Sequence, residues 1–167
     1  MGDSVDRVLE QWHAERPDID PSPMGVVGRI SRASVLLSRA LGANFAKYDL
    51  QRWEFDIIGT LLRSGPPYRL TAGRLTAATM VTSGAITNRI DRLVARGLVD
   101  RVTDPGNRRS VLISLTQDGR DLANEVVAHH AAYEAELLDP LTGRERDQLA
   151  ALLRKLLTGL GDTPPTK

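Results

Sequence analysis

A chain of 167 residues fits one domain by length, or one compact domain with added dimerisation helices. Hydrophobic residues make up 41% and charged residues 26%, ordinary for a globular protein, and a net charge of +1 names no partner. Cysteine is absent, which excludes disulfides, thiolate metal sites and cysteine nucleophiles, and no apolar run approaches the roughly 20 residues of a membrane span. The acidic N-terminus is unlike a secretory leader, and Asp6 stands where a myristoylation signal carries Ser or Thr. A cytoplasmic location and no membrane partner are therefore expected.

The elements are read in chain order. Val5, Val8, Leu9 and Trp12 share one face of a short helix that should end near Arg16-Pro17, because the residue before proline leaves helical geometry. Ser22 followed by Pro23 predicts an N-cap, and Val26, Ile30, Ala33, Leu37 and Leu41 form the stripe of a long helix running to about Tyr48. A third helix carries Phe55, Ile58, Leu61 and Leu62 and stops at Ser64-Gly65-Pro66-Pro67. Leu70 to Met80 reads as a short helix capped by Thr71. Thr82 then caps another, with Ile86, Ile90, Leu93 and Val94 on its buried side and Gly97 ending it.

Two short β-like runs follow, Leu98–Thr103 and Ser110–Leu115, around the turn Asp104-Pro105-Gly106-Asn107. Thr116 caps a helix bearing Leu122, Val126, His130, Tyr133 and Leu137. Thr142 and Glu145 form a capping box for the last helix, with Leu149, Leu152, Leu153, Leu156, Leu157 and Leu160 along it. The expected fold is mainly α with a small β-wing, a winged helix-turn-helix with N- and C-terminal dimerisation helices. Residues 1–48 and 116–160 are assigned to dimerisation and 49–115 to DNA binding, with 161–167 a disordered tail.

Charge supports a nucleic-acid partner. Between Thr71 and Ser110 seven arginines stand against three aspartates. Alone, such a run is equally a solvated face. On the helix after Thr82, however, Gly84, Ala85, Asn88 and Arg92 lie opposite the apolar side. Small residues admit close backbone approach to phosphate, and Asn and Arg suit purine edges. Thr82, Ser83 and Thr87 add hydroxyl donors for phosphates. Arg108 and Arg109 at the hairpin tip are placed to enter a minor groove. A two-fold dimer would choose double-stranded DNA with a pseudo-palindrome of half-sites about one turn apart.

The run Leu93-Val94-Ala95-Arg96-Gly97-Leu98-Val99, then Arg101, Asp104-Pro105, Arg108-Arg109-Ser110-Val111 and Leu115-Thr116 through Gly119 resembles the MarR family signature. One departure is Asn107, where the family usually has Asp before the wing arginines. The added N-terminal helix with its tryptophan, followed by Pro17-Asp18-Ile19-Asp20, resembles the urate-responsive (PecS-like and HucR-like) branch. That resemblance implies a ligand set of Trp12, Asp56, Arg89 and Arg101 and a repressor released by a small anion such as urate. Each residue also has a plainer role: Trp12 completes an apolar face, Asp56 and Arg101 suit solvated positions, and Arg89 falls at the edge of its helix's buried face.

Other classes are weighed beside this one. His13, His129 and His130 fall in no nucleophile–base or HExxH arrangement and no phosphate loop is present, so no enzyme and no cofactor are expected. Glu125 with His129, and His130 with Glu134, are helix-spaced pairs that a zinc sensor could use, though such pairs are usually surface ion pairs. A tricarboxylate or phenolic ligand would suit the same fold. A ligand-independent DNA binder would not need the four ligand residues together.

Overall fold

The computed structural model describes residues 2–79, 83–104 and 106–162. Among them the order is α1 (Ser4–Glu15), α2 (Ser22–Ala46), α3 (Arg52–Arg63), β1 (Arg69–Thr71), α4 (Ala72–Thr79), α5 (Ser83–Ala95), β2 (Val99–Asp104), β3 (Asn107–Leu115), α6 (Gln117–Leu137) and α7 (Gly143–Gly159). The protein is thus mainly helical with one small sheet. It divides into two compact units, Met1–Ala43 and Asn44–Lys167. The division falls inside α2 and leaves α6 and α7 in the same unit as the helix-turn-helix segment. No helix among the described residues is long and apolar enough to cross a membrane.

In the first unit, Asp3 caps α1 by accepting from the backbone N–H groups of Val5 and Asp6 at 2.8 and 3.1 Å. Asp6 returns the bond to the N–H of Asp3 at 2.8 Å, closing a capping box. The helix ends at Arg16, ahead of Pro17. Val5 and Leu9 are half-buried because α2 offers glycines to them: a Cβ on Gly25 would lie 3.1 Å from Leu9, and one on Gly28 would lie 3.3 Å from Val5. Arg29 of α2 locks the pair, meeting Asp3 at 2.8 Å and Asp6 at 2.5 Å. The start of α2 corrects one expectation. Ser22 is not the N-cap; Asp20 accepts from both the N–H and the hydroxyl of Ser22, at 2.9 and 2.8 Å. The hydroxyl expected to cap is spent on a carboxylate, and the carbonyl of Pro21 begins the ladder by accepting from Gly25 at 3.3 Å.

The second unit is built on α3. Ile57, Ile58 and Leu61 are buried with Phe45, Leu75, Ile90, Leu93, Ile113 and Val126, so that α3 contacts α4, α6 and β3 around one core. The three strands form an antiparallel sheet in the order β1-β3-β2. Leu70 pairs with Ile113, Arg101 also pairs with Ile113 from the other side, and Asp104 pairs with Asn107 across the wing turn. Asp104 Oδ1 accepts from the N–H of Gly106 at 2.9 Å, which fixes that turn. Strand β1 was not expected, because three residues are too few to show alternation. Thr71 still caps α4, accepting from Arg74 at 3.2 Å. Val94, expected in the core of α5, is instead 38% exposed; the buried arc is narrower and consists of Ile86, Ile90 and Leu93.

The joint between wing and α6 is sterically exacting. Gly97 has φ +68 and its N–H bonds the carbonyl of Val94 at 2.9 Å, ending α5 in the left-handed geometry glycine favours. Thr116 caps α6 by accepting from Gly119 at 2.9 Å while donating its hydroxyl to the carbonyl of Gly97 at 2.7 Å. A Cβ on Gly119 would stand 1.9 Å from the carbonyl oxygen of Leu98, so no other residue fits without moving the strand. Thr142 and Glu145 cap α7 as expected. Of the tail, residues 163–167 lie outside the described residues, while Gly161 bonds the carbonyl of Thr158 at 3.1 Å.

Candidate nucleic-acid interface and anion site

Helix α5 rests its narrow apolar arc on the core and turns Thr87, Asn88 and Arg92 outward, all exposed. Asn88 lies farthest from the buried side, where a bidentate amide can meet an adenine edge. Ser83 and Gly84 open the helix, so the first N–H groups of α5 lie there without intrahelical acceptors. Thr82 lies outside the described residues, as do the side chains of Ser83, Arg108 and Arg109; the backbone of the two arginines begins β3 at the wing tip.

Four contacts hold α5 in place among the described residues. Arg96, just past its end, bonds the carboxylate of Glu54 at 2.8 Å and that of Asp49 at 3.1 Å. Glu54 is buried and its other oxygen accepts from the N–H of Gln51 at 2.8 Å, so one carboxylate both caps α3 and anchors the end of α5. Arg89 lies with its guanidinium carbon 5.4 Å from the centroid of the Trp53 ring. Asp91 bonds Arg101 of β2 at 2.7 Å, tying the helix to the wing. That pair supplies a helix-to-wing link despite Asn107 standing where the family usually has Asp.

The residues expected to hold a ligand are placed as follows. Trp12 belongs to the first unit and is 39% exposed on α1. Arg89 is half-buried on the α3 side of α5, while Arg101 is exposed and engaged by Asp91. Asp56 is exposed and lines an open cleft of about 510 Å³ with Arg52, Arg63, Thr79, Val127 and His130. Among the described residues no ion pair or hydrogen bond joins Asp56, Arg89 and Arg101 to one another directly. Arg92 lines a second open cleft of about 460 Å³ with Asp49, Trp53, Glu54 and Arg96.

Sequence reasoning missed the pairings of Trp53 with Arg89, Glu54 with Arg96 and Asp91 with Arg101. Glu54 and Arg96 are 42 residues apart, and no local period connects them. His129 and His130 make ring contacts, while the exposed His13 meets the carbonyl of Leu9 at 2.9 Å. His130 meets Phe45 and Phe55 at ring separations of 4.9 and 5.1 Å and Glu134 at 3.2 Å, and His129 lies 5.6 Å from Tyr48. Among the described residues no three metal-ligating side chains come together.

An outward helix in a basic segment, braced by a core helix and followed by an antiparallel hairpin, defines a winged helix-turn-helix DNA-binding protein. Residues 48–110 match the MarR family. The chain is 42% identical to the HTH-type transcriptional regulator PecS of Dickeya dadantii, over 91% of this chain and 92% of PecS. A mutant MarR from E. coli, solved in complex with operator DNA, superposes with a TM-score of 0.73 at 25% identity, covering 82% of this chain and 96% of that one. AbsC, a MarR family transcriptional regulator from Streptomyces coelicolor, shares the fold with a TM-score of 0.77 at 21% identity over 85% of this chain and 96% of AbsC. The chain belongs to the MarR family and is a DNA-binding transcriptional regulator rather than an enzyme.

Proposed function

We propose that the protein is a homodimeric repressor that occupies a pseudo-palindromic operator and leaves it when a small planar anion, urate foremost, binds through Trp12, Asp56, Arg89 and Arg101. Thr82, Ser83, Gly84, Thr87, Asn88 and Arg92 serve DNA from α5 and its approach, and Arg108 and Arg109 serve it from the wing. The single observation that carries the anion reading is Arg89. The residue is half-buried on one flank of the helix whose other flank carries Thr87 and Asn88, with its guanidinium near the Trp53 ring. An anion that draws on Arg89 therefore acts on the helix that meets DNA. Arg101 has the same double allegiance, because its partner Asp91 is also on α5.

Release requires that the anion bind the off-operator arrangement better than the operator-bound one; equal affinity would shift nothing. Two guanidinium groups suit a planar oxyanion, Asp56 suits ring N–H donors, and an indole supplies a flat wall. Dimerisation is supported by apolar faces that have no partner within their own unit. On α2, Val26, Val27 and Val35 are at least 60% exposed, and on α7 Leu152 and Leu160 are 67% and 75% exposed. The test is calorimetric titration of the purified protein with urate and, in parallel, citrate. Urate should bind and Arg89→Ala should weaken that binding markedly. Binding of citrate with silence toward urate would move the assignment to a tricarboxylate sensor, and silence toward both would remove the anion reading.

A further inference from the structure

We propose that Trp53 is a positioning residue for the anion: its indole seats the Arg89 guanidinium and leaves the in-plane N–H donors turned to an oxyanion. The inference rests on the anion-release reading and adds to it a residue outside the four that the family resemblance supplied. Four observations carry it.

The Arg89 guanidinium carbon sits over the Trp53 ring at 5.4 Å from its centroid, inside the roughly 6 Å range of a cation–π contact. The indole is itself held, since its N–H donates to the side-chain oxygen of Gln51 at the start of α3. Among the described residues no acceptor meets the N–H groups of Arg89, although the residue is half-buried. By contrast Arg101 and Arg96 each already meet a carboxylate through at least one nitrogen, Asp91 in one case and Glu54 and Asp49 in the other. Arg89 thus has the Trp53 ring as its neighbour and, among the described residues, no carboxylate on its donors.

That division of labour matters chemically. A guanidinium stacks through its face and hydrogen-bonds in its plane, so a stacked arginine keeps its bidentate fork. A free arginine side chain must surrender rotamer freedom when it binds, and one already seated has surrendered much of it. The gain expected from an exposed cation–π seat is roughly two- to fivefold in anion affinity. There is a mechanical consequence too. Arg89 and Arg96 both reach the first turn of α3, at Trp53 and Glu54, so α5 has two supports on one neighbour. An anion that takes up the edge of Arg89 loads the support nearer the DNA-meeting end, while Arg96 stays fixed as the pivot.

The experiment is a double-mutant cycle with urate as the probe, using full-length protein whose folding is checked by thermal melting. Trp53→Leu should weaken urate binding roughly two- to fivefold, and Trp53→Phe, which keeps a ring but no N–H, should fall between. In an Arg89→Ala background Trp53→Leu should cost nothing further. In parallel, 5-fluorotryptophan labelling gives a fluorine resonance for Trp53, assigned with Trp53→Phe, that should move on urate addition and on Arg89→Ala. An unshifted resonance, unchanged affinity in Trp53→Leu, or an equal loss in both backgrounds overturns the proposal while leaving the anion reading intact. If the Arg89→Ala protein binds too weakly for calorimetry, the resonance decides. If the unmutated protein binds neither urate nor citrate, the anion reading falls and this inference falls with it.

Discussion

Asn44, Glu54 and Thr60 are the buried polar side chains among the described residues, and Glu54 alone of them carries a charge. A carboxylate withdrawn from water needs partners on both oxygens, and Glu54 has them in Arg96 and the backbone of Gln51. Glu54→Gln should therefore destabilise the protein by about 2 kcal/mol, the scale of a lost charge-assisted bond, read as a lowered urea midpoint. Asn88 belongs to a different economy. It is exposed, and among the described residues no hydrogen bond or ion pair holds it, so Asn88→Ala should leave melting unchanged. Operator binding should weaken by about 1–3 kcal/mol, and preference at one base pair should relax in a fluorescence-anisotropy series with substituted sites.

At the scale of elements, the joint between wing and α6 and the clasp of α1 on α2 each make a prediction. Gly119→Ala places a methyl group where the Leu98 carbonyl already stands. Overpacking against backbone costs about 3 kcal/mol or more, so melting should fall by roughly 6–12 °C, measured by calorimetry. The α1–α2 clasp is pH-dependent. The hydrogen bond from Arg29 holds the Asp3 carboxyl below its ordinary value of 3.8, opposed by some desolvation and helped by the N–H groups of Asp6 and Val5. A depressed carboxylate contributes stability above its unfolded value, and that contribution is lost as pH falls through the folded one. Protection factors of the α1 amides, exchange rates corrected for the intrinsic pH dependence, should thus fall below about pH 4, and Asp3→Asn should show the lower protection already at neutral pH. Helix boundaries and caps were legible in the sequence wherever the signal was local, as at Arg16-Pro17, Thr71, Gly97, Thr116 and Thr142. Strand β1 was hidden because its pairing partner, Ile113 for Leu70, lies far along the chain, and Ser22 misled because Asp20 competes for its hydroxyl. The same limit applies to the site. Arg89 came only from the family resemblance, and its seat on Trp53 and the Glu54–Arg96 tie depend on how α5 packs against α3, which no spacing reports.

For the whole molecule, the proposal that the basic segment around α5 and the wing meets the operator predicts that binding weakens steeply as salt rises through counterion release. The family places the protein on DNA, and the arginines of α5 and β2 offer the route by which a small anion could take it off. The most direct test is the anisotropy of a labelled operator bound by the protein at fixed ionic strength, titrated with urate. Release should be complete and saturable, with a midpoint that follows the calorimetric affinity, and Arg89→Ala should stay bound throughout. An operator complex untouched by saturating urate and by citrate, or released equally well from the Arg89→Ala protein, would contradict anion release through this helix.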